Sequence, residues 1–281
     1  MLTRVNVRSD VNITSLALSL QDAANGYIVK DIQGLDPVKA TITSSPFAGL
    51  DGEQFQASRR EARNIVMTIG IEAYSGGATV EELRRALYSY FLPKRTVTLT
   101  FYFADMYGNI PAGSVRQIEG QVESFETALF SKDPEIAISI MCFDPNFSGG
   151  GTYTVNGNTT SGSTEQTIEY DGTVETGFKF ELNVNRAMSD FVMTVRRPNS
   201  TQESLTFAMS LLNGDKVTIN TDPKNKYATL LRGGVESSVL YAVAPTSKWP
   251  KLYPGENYLR VLVSGASVPY VVTHAQLHGG L

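Results

Sequence analysis

Residues 214–234 read GDKVTINTDPKNKYATLLRGG, and two short runs in this stretch, 217–220 and 227–231, are rich in apolar and β-branched residues. A charged turn that contains Asp222 and Pro223 separates the two runs. Such a pattern is typical of two strands joined by a turn. The stretch holds no combination of residues that suggests a catalytic site.

Runs of the same kind recur through the second half of the chain, with little helical periodicity between them. Asn-Gly, Gly-Asp and Pro-Gly pairs, which favour tight turns, separate many of them. Many short strands joined by turns predict a β-sandwich. The further predicted strands are 178–184, 191–195, 205–211, 239–243, 259–263 and 268–273.

Strand patterns also dominate the first half. Apolar residues occupy the odd positions of 65–71 and of 97–103, and the same two-residue alternation returns at the even positions of 136–142. This two-residue period predicts strands with one buried face. Cys142 lies on the apolar parity, which predicts a small core side chain, and as the only cysteine it cannot form an intrachain disulfide.

One segment of the first half has a helical period instead. Thr79 and Glu82 form a capping-box pair at its start, and Pro93 ends it. We therefore expect an amphipathic helix over residues 80–92 that covers one face of a sheet. Its predicted buried face consists of Val80, Leu83, Leu87 and Phe91.

The composition limits the function classes. The chain has 281 residues, 42% hydrophobic and 19% charged, and a formal net charge of −4, which is the balance of a globular protein without the basic surplus of a nucleic-acid binder. The first residues lack the apolar run of a signal peptide, and no apolar stretch approaches the roughly 20 residues of a membrane helix. Glycine and serine accumulate in 147–164, which predicts a domain boundary or linker there and domains over 1–148 and 149–281.

Few residues of the sequence are candidates for metal binding or catalysis. His274 and His278 have the spacing of metal ligands on a helix, but they follow a strand pattern, and four residues along a strand span about 13 Å. We expect ordinary polar residues at a strand end. Glu119, Glu123 and Glu126 fall in one predicted strand, which favours a solvated face over a glycosidase pair.

No nucleophile elbow, phosphate-binding loop or dinucleotide fingerprint occurs in the sequence. We therefore predict no enzyme activity, no catalytic residue, no metal and no cofactor. Five arginines suggest either a basic patch or the lining of a tube for DNA, but nearby glutamates favour salt bridges and subunit contacts. They are Arg59, Arg60, Arg63, Arg84 and Arg85.

Several blocks in a fixed order resemble one known family. The chain resembles the distal tail (Dit) proteins of siphophages, which form the hub at the tip of a long non-contractile tail. The resemblance spans nearly the whole chain. The blocks are 34–37, 45–46, 51–53, 63–65, 80–92, 130–135, 142–147, 214–234 and 249–255.

The resemblance implies a mainly β protein with a barrel-like belt domain, one helix and an extended arm, followed by a galectin-like β-sandwich. It also implies a structural virion protein that forms a hexameric ring at the tail tip and is assembled in the host cytoplasm. The implied partners are the tail tube protein, a tail-associated hub or fibre protein and receptor-binding proteins. Residues 26–51 are the candidate arm, or else an ordinary surface loop with short strands, and the candidate scaffold residues are Leu83, Leu87, Phe91, Leu99 and Phe101.

The alternative function is that of a carbohydrate-binding module that recognises host envelope glycans. An aromatic ring can stack on the apolar face of a sugar. Trp249, Tyr253 and Tyr258 are the candidate glycan contacts. The competing interpretation of Trp249 is an aromatic plug at the end of the sandwich.

Overall fold

The computed structural model describes residues 1–281 except 21, 22, 24, 48, 50, 74–76, 112, 129–133, 198 and 200. It divides into two compact units, one of Met1–Gly150 with His278–Leu281 and one of Gly151–Leu277. This differs from the predicted domains at the end of the chain. The last residues join the first unit because Leu281 donates its N–H to the carbonyl of Leu35.

The described part of the first unit is built from nine strands and one α-helix, with a tenth strand that runs on into the second unit. The elements are β1 (Leu2–Ser9), β2 (Leu16–Ser19), β3 (Tyr27–Gln33), β4 (Ala40–Pro46), β5 (Glu53–Arg60), β6 (Arg63–Ile71), α1 (Val80–Phe91), β7 (Thr96–Phe103), β8 (Val115–Thr127), β9 (Glu135–Cys142) and β10 (Phe147–Asn158).

Seven of these strands close into a barrel-like sheet. Their order is β8-β7-β1-β2-β3-β6-β9, and β9 pairs again with β8 to complete the circuit. The alternating parity predicted from sequence is confirmed, because the odd positions of β6 and the even positions of β9 are buried. The core of this unit includes Val5, Ile65, Met67, Val97, Leu99, Phe101, Ile138 and Ile140.

Helix α1 lies within the predicted residues, and both bonds of the predicted capping box are present. Its buried face differs in part from the prediction. Leu87 and Phe91 are fully buried, but Val80 is 37% exposed because it lies in the first turn, and Tyr90 is buried instead. Tyr27 fixes the helix by donating its hydroxyl to the carbonyl of Leu83 over 2.7 Å.

Cys142 is a core residue, as predicted. It is fully buried, and burial raises the pKa of its thiol to about 12. We therefore expect Ellman's reagent at pH 8 to leave the native protein unmodified, because the reactive form is the thiolate. Full reaction is expected in guanidinium chloride, where the thiol regains a pKa of about 8.5. Rapid, complete modification under native conditions would contradict this burial.

Arg63 was predicted to join a basic patch or to make salt bridges. It is instead a buried side chain that connects backbone segments of the first unit by hydrogen bonds. It is 1% exposed and donates to the carbonyls of Gly34, Asp36, Pro145 and Gly279, the last over 2.6 Å. Its guanidinium lies 4.4 Å from the centroid of the Phe147 ring. Placed on the buried parity of β6, this side chain has no access to nucleic acid.

The second unit is a β-sandwich. Its elements are β11 (Gln166–Tyr170), β12 (Lys179–Asn183), β13 (Met188–Arg196), β14 (Gln202–Leu211), β15 (Lys216–Asn220), β16 (Tyr227–Arg232), β17 (Val235–Ser238), a 3₁₀ turn (Leu240–Ala242), β18 (Gly255–Leu262) and β19 (Pro269–His278). One sheet has the order β17-β16-β15-β12-β19-β10 and the other the order β11-β18-β13-β14.

The two sheets of this unit share one apolar core. Phe180 of β12 and Phe191 of β13 bring their ring centroids to 5.9 Å, and Phe207 of β14 stacks on Phe191 at 5.0 Å. The hairpin predicted from residues 214–234 is confirmed as β15 and β16, in register from Lys216 opposite Leu231 to Asn220 opposite Tyr227. The predicted fold class, mainly β with a barrel-like part and a sandwich, is therefore confirmed.

The glycine-rich stretch 147–164, predicted as a domain boundary or linker, includes the division between the two units after Gly150. It also contains the twelve-residue strand β10, because backbone pairing does not require bulky side chains. One local prediction is wrong. Residues 239–243 contain the 3₁₀ turn Leu240–Ala242 rather than a strand. In the second unit, the sequence pattern did not predict β11 and β17, since these strands are short and mostly polar.

Candidate assembly surface

The most exposed regular structure in the first unit is the hairpin β4–β5. It forms a two-stranded sheet of its own, with Ala40 opposite Arg60 at one end and Pro46 opposite Glu53 at the other. Every residue of its two strands is exposed except Ser45, which is half-buried. No described surface of the first unit covers this hairpin. A two-stranded sheet without a packed face is at best marginally stable in water.

Apolar side chains lie on one face of this hairpin. Ile42 is 65% exposed and Phe55 is 63% exposed. The register places Phe55 opposite Ser44, two residues along β4 from Ile42, so both point to the same side. Exposed large apolar groups on one face are a mark of a protein contact surface.

The hairpin also has open backbone edges. The described sheets pair β4 with β5 alone, which leaves the outer N–H and C=O groups of each strand without a strand partner. The candidate arm 26–51 overlaps this hairpin only in part, since its first strand, β3, lies in the closed sheet and residues 48 and 50 lie outside the described residues. The exposed elements are instead the two strands β4 and β5.

A second exposed apolar element is the loop between β7 and β8. Met106 and Tyr107 are 88% and 82% exposed. The carboxylate of Asp105 accepts the N–H groups of Tyr107 and Asn109 over 2.8 and 2.9 Å, and these bonds lower the pKa of Asp105. The loop thus holds its two large side chains in solvent on a hydrogen-bonded turn.

The candidate scaffold residues lie inside the first unit. Leu87, Phe91, Leu99 and Phe101 are fully buried, and Leu83 packs against the same core while half-buried. They shape the barrel and its helix but do not reach the surface, so a role in ring formation would be indirect. Of the exposed hairpin, β4 with Ile42 lies within the candidate arm 26–51, whereas β5 with Phe55 lies outside it. The apolar Ile42 and Phe55 in otherwise polar strands are the sequence signal for this surface.

The two histidines were predicted as ordinary polar residues at a strand end, and His278 is the last residue of β19, whereas His274 lies inside that strand. Both lie within β19 and are buried, and the His274 ring stacks on Tyr153 at 5.6 Å and meets the edge of Tyr170. Burial lowers the pKa of His274, which favours the neutral ring. Among the described residues, no group of three or more His, Cys, Asp or Glu is placed to hold a metal ion.

The candidate charged groups are distributed over the first unit. Glu119, Glu123 and Glu126 are exposed along β8, and Ser139 donates to Glu123 over 2.8 Å. Arg85 forms an ion pair with Glu81, and Arg60 donates to the side chain of Asn146. Because these arginines have separate partners and Arg63 is buried, they do not form one basic patch. No helix in the described part of the chain combines the length and hydropathy of a membrane span.

The candidate glycan contacts each have a partner in the second unit. The Arg197 guanidinium lies 3.2 Å from the Tyr253 ring centroid, and Arg196 lies 4.1 Å from that of Tyr258. Trp249 is half-buried against the core, as a plug would be. One face of each tyrosine ring is thus occupied, and glycan binding by these three residues stays a prediction.

The chain is similar to proteins of phage tails in sequence and in fold. The model of the siphovirus-type tail component C-terminal domain matches residues 171–276. The crystal structure of the Dit protein (gp 19.1) of phage SPP1 is 16% identical, covers 97% of this chain and 98% of its own, and has a TM-score of 0.65. A chain of the phage P2 baseplate is 10% identical over 97% of this chain and 98% of its own, with a TM-score of 0.46. No curated protein matches the chain.

The family match and the shared fold are complementary. The family model lies within the β-sandwich unit, and the SPP1 Dit fold extends over nearly all of the chain, including the closed barrel. The matched family is one of phage structural tail proteins rather than of enzymes. Residues 171–276 thus match the C-terminal domain of siphovirus-type tail components, the chain has the fold of SPP1 Dit, and together these findings support a protein of the Dit family.

Proposed function

We propose that this protein is the structural hub of a long non-contractile phage tail, where a hexameric ring of the chain joins the tail tube to the host-adsorption apparatus. The observation that carries the proposal is the exposed hairpin β4–β5 on a closed barrel. The SPP1 protein of the same fold is described as a hub of the adsorption apparatus in phages that infect Gram-positive bacteria, which supports the role.

A ring requires two different complementary surfaces on each subunit. Head-to-tail contacts between such surfaces close when the rotation between neighbours completes a circle. The hairpin supplies one surface, with the apolar pair Ile42 and Phe55 and with open backbone edges. Contact with the next subunit would cover these apolar side chains and pair the open backbone edges. The isolated hairpin would then no longer expose apolar surface or unpaired N–H and C=O groups.

The ring also needs surfaces for other tail proteins. We assign one of them to the Asp105 loop, because Met106 and Tyr107 are large, exposed and held by hydrogen bonds before any partner binds. A preformed loop loses little conformational freedom on binding. The proposed partners are the tail tube protein, a tail-associated hub or fibre protein and receptor-binding proteins, in the virion tail tip after assembly in the host cytoplasm.

The mass of the purified protein in solution tests the ring. Six copies of the 30.6-kDa chain give about 184 kDa by light scattering, or twice that for two stacked rings, and negative-stain images of the same fraction should show an axial hole. The same measurement is repeated after mixing with the tail tube protein. A monomer in both samples would refute the proposed hub function and favour the alternative function of a carbohydrate-binding module.

A further inference from the structure

A cleft of about 380 Å³ lies at one end of the outer face of the four-stranded sheet in the second unit. Val192 of β13 and Leu262 of β18 are paired in register and form its apolar floor. The polar residues of its lining are Asp190, Ser161, Ser264 and Gly265, and one carboxylate oxygen of Asp190 already accepts the Ser189 hydroxyl over 2.7 Å. The cleft therefore combines one apolar surface, one strong acceptor and two hydroxyl groups.

Both walls of the cleft are fixed by backbone bonds. Thr160 donates its N–H to Val261 and accepts the N–H of Val263, both over 2.9 Å, which holds Ser161 beside β18. On the opposite wall, Arg186 donates to the carbonyls of Ser264 and Ala266. A site held in this way binds without first ordering its own loops.

Gly265 gives the second wall its backbone conformation. Its φ is +85°, which would strain a residue with a side chain, although a Cβ would meet the Arg186 guanidinium at an ordinary contact distance of 3.4 Å. The wall thus depends on the conformation of a glycine and on the hydrogen bonds of Arg186.

We propose that this cleft binds the acetamido group of an N-acetylated amino sugar. The acetyl methyl packs on Val192 and Leu262, the amide N–H donates to the Asp190 carboxylate, and the amide carbonyl accepts from the Ser161 or Ser264 hydroxyl. Each group of the cleft then meets the matching part of one ligand group, and the cleft volume admits a single sugar ring. This activity goes beyond the proposed ring and does not depend on it.

The outer face continues the cleft along the strands. Arg260, opposite the buried Thr194, forms the next row on the same face, and Tyr258 and Arg196 form the row after it. Residues two apart on a strand are about 6.6 Å from each other, so the cleft and these two rows match the length of about three sugar rings. We therefore infer an oligosaccharide, with the N-acetyl group of one ring in the cleft.

Saturation-transfer NMR on the full-length protein with tri-N-acetylchitotriose tests the site, and cellotriose, which lacks the acetamido groups, is the ligand control. The strongest transfer is expected at the acetyl methyl protons. Asp190→Asn should weaken binding about tenfold or more, because a hydrogen bond to a charge is lost. Glu169→Gln, an exposed carboxylate-to-amide change on the same sheet, should leave the affinity within twofold of wild type.

Other outcomes overturn the proposal. Equal binding of cellotriose would remove the role of the acetamido group, and absence of saturable transfer from chitotriose would remove the site. Loss of binding in Trp249→Ala with unchanged binding in Asp190→Asn would move the contact to the aromatic residues. An unchanged melting temperature of each variant shows that the affinity change is local. The ring mass, measured on the same samples, reports separately on the hub.

Discussion

A chain that carries Ile42→Asp and Phe55→Asp is expected to remain monomeric under conditions in which the wild type forms rings. Both side chains lie on the exposed face of the hairpin β4–β5. In the ring they would be covered by the next subunit, and an unpaired carboxylate in that position costs several kcal/mol. Light scattering should give a mass near 30.6 kDa in place of the ring.

Met106→Asp is the matched control. Met106 is also a large, exposed apolar residue of the first unit, but it lies in the Asp105 loop that we assign to a different partner. This variant should keep the ring mass, and both proteins should keep the wild-type melting temperature because every mutated side chain is exposed. A double hairpin variant that still forms rings would assign the subunit contact to another surface.

Leu87→Asp is expected to unfold the first unit. Leu87 is fully buried on α1 in the barrel core, so the new carboxylate has neither water nor a cation beside it. The cost of several kcal/mol is a large part of the 5–15 kcal/mol that stabilises a typical domain. Differential scanning calorimetry should show loss of the first unit's transition, with the transition of the β-sandwich retained.

Val80→Asp provides the comparison on the same helix. Val80 is 37% exposed in the first turn, where an acidic side chain also interacts favourably with the helix dipole. We expect its free energy of unfolding to change by less than about 1 kcal/mol. Equal destabilisation by both substitutions would mean that the four apolar residues of the helix are buried together, as the helical period alone predicted.

The sequence predicted best where a strong local pattern and burial agree. The odd positions of β6 and β7 and the capping box of α1 follow from short-range rules, and the structure confirms them. The closed order of the barrel strands depends on pairings such as β1 with β7, which join residues about 90 positions apart. Local periodicity carries no information on such pairings, so the barrel came from the family resemblance.

The failures have a common physical origin. Arg63 was taken for a surface charge because arginine is seldom buried, yet four backbone carbonyls satisfy its guanidinium. The small residues of 147–158 gave no strand pattern, although the backbone of β10 is paired. In both cases the deciding partners come from distant parts of the chain, and the residue type alone does not reveal them.

The bond from Arg63 to Gly279 has a consequence for the order of synthesis. The two residues are 216 positions apart, and all of the second unit lies between them in the chain. At 5–20 residues per second, a ribosome needs roughly 10–45 s to make that interval. The β-sandwich can therefore fold while the barrel still lacks its final backbone acceptor, and a prematurely terminated chain would present to the assembly pathway a subunit whose buried arginine is incompletely bound.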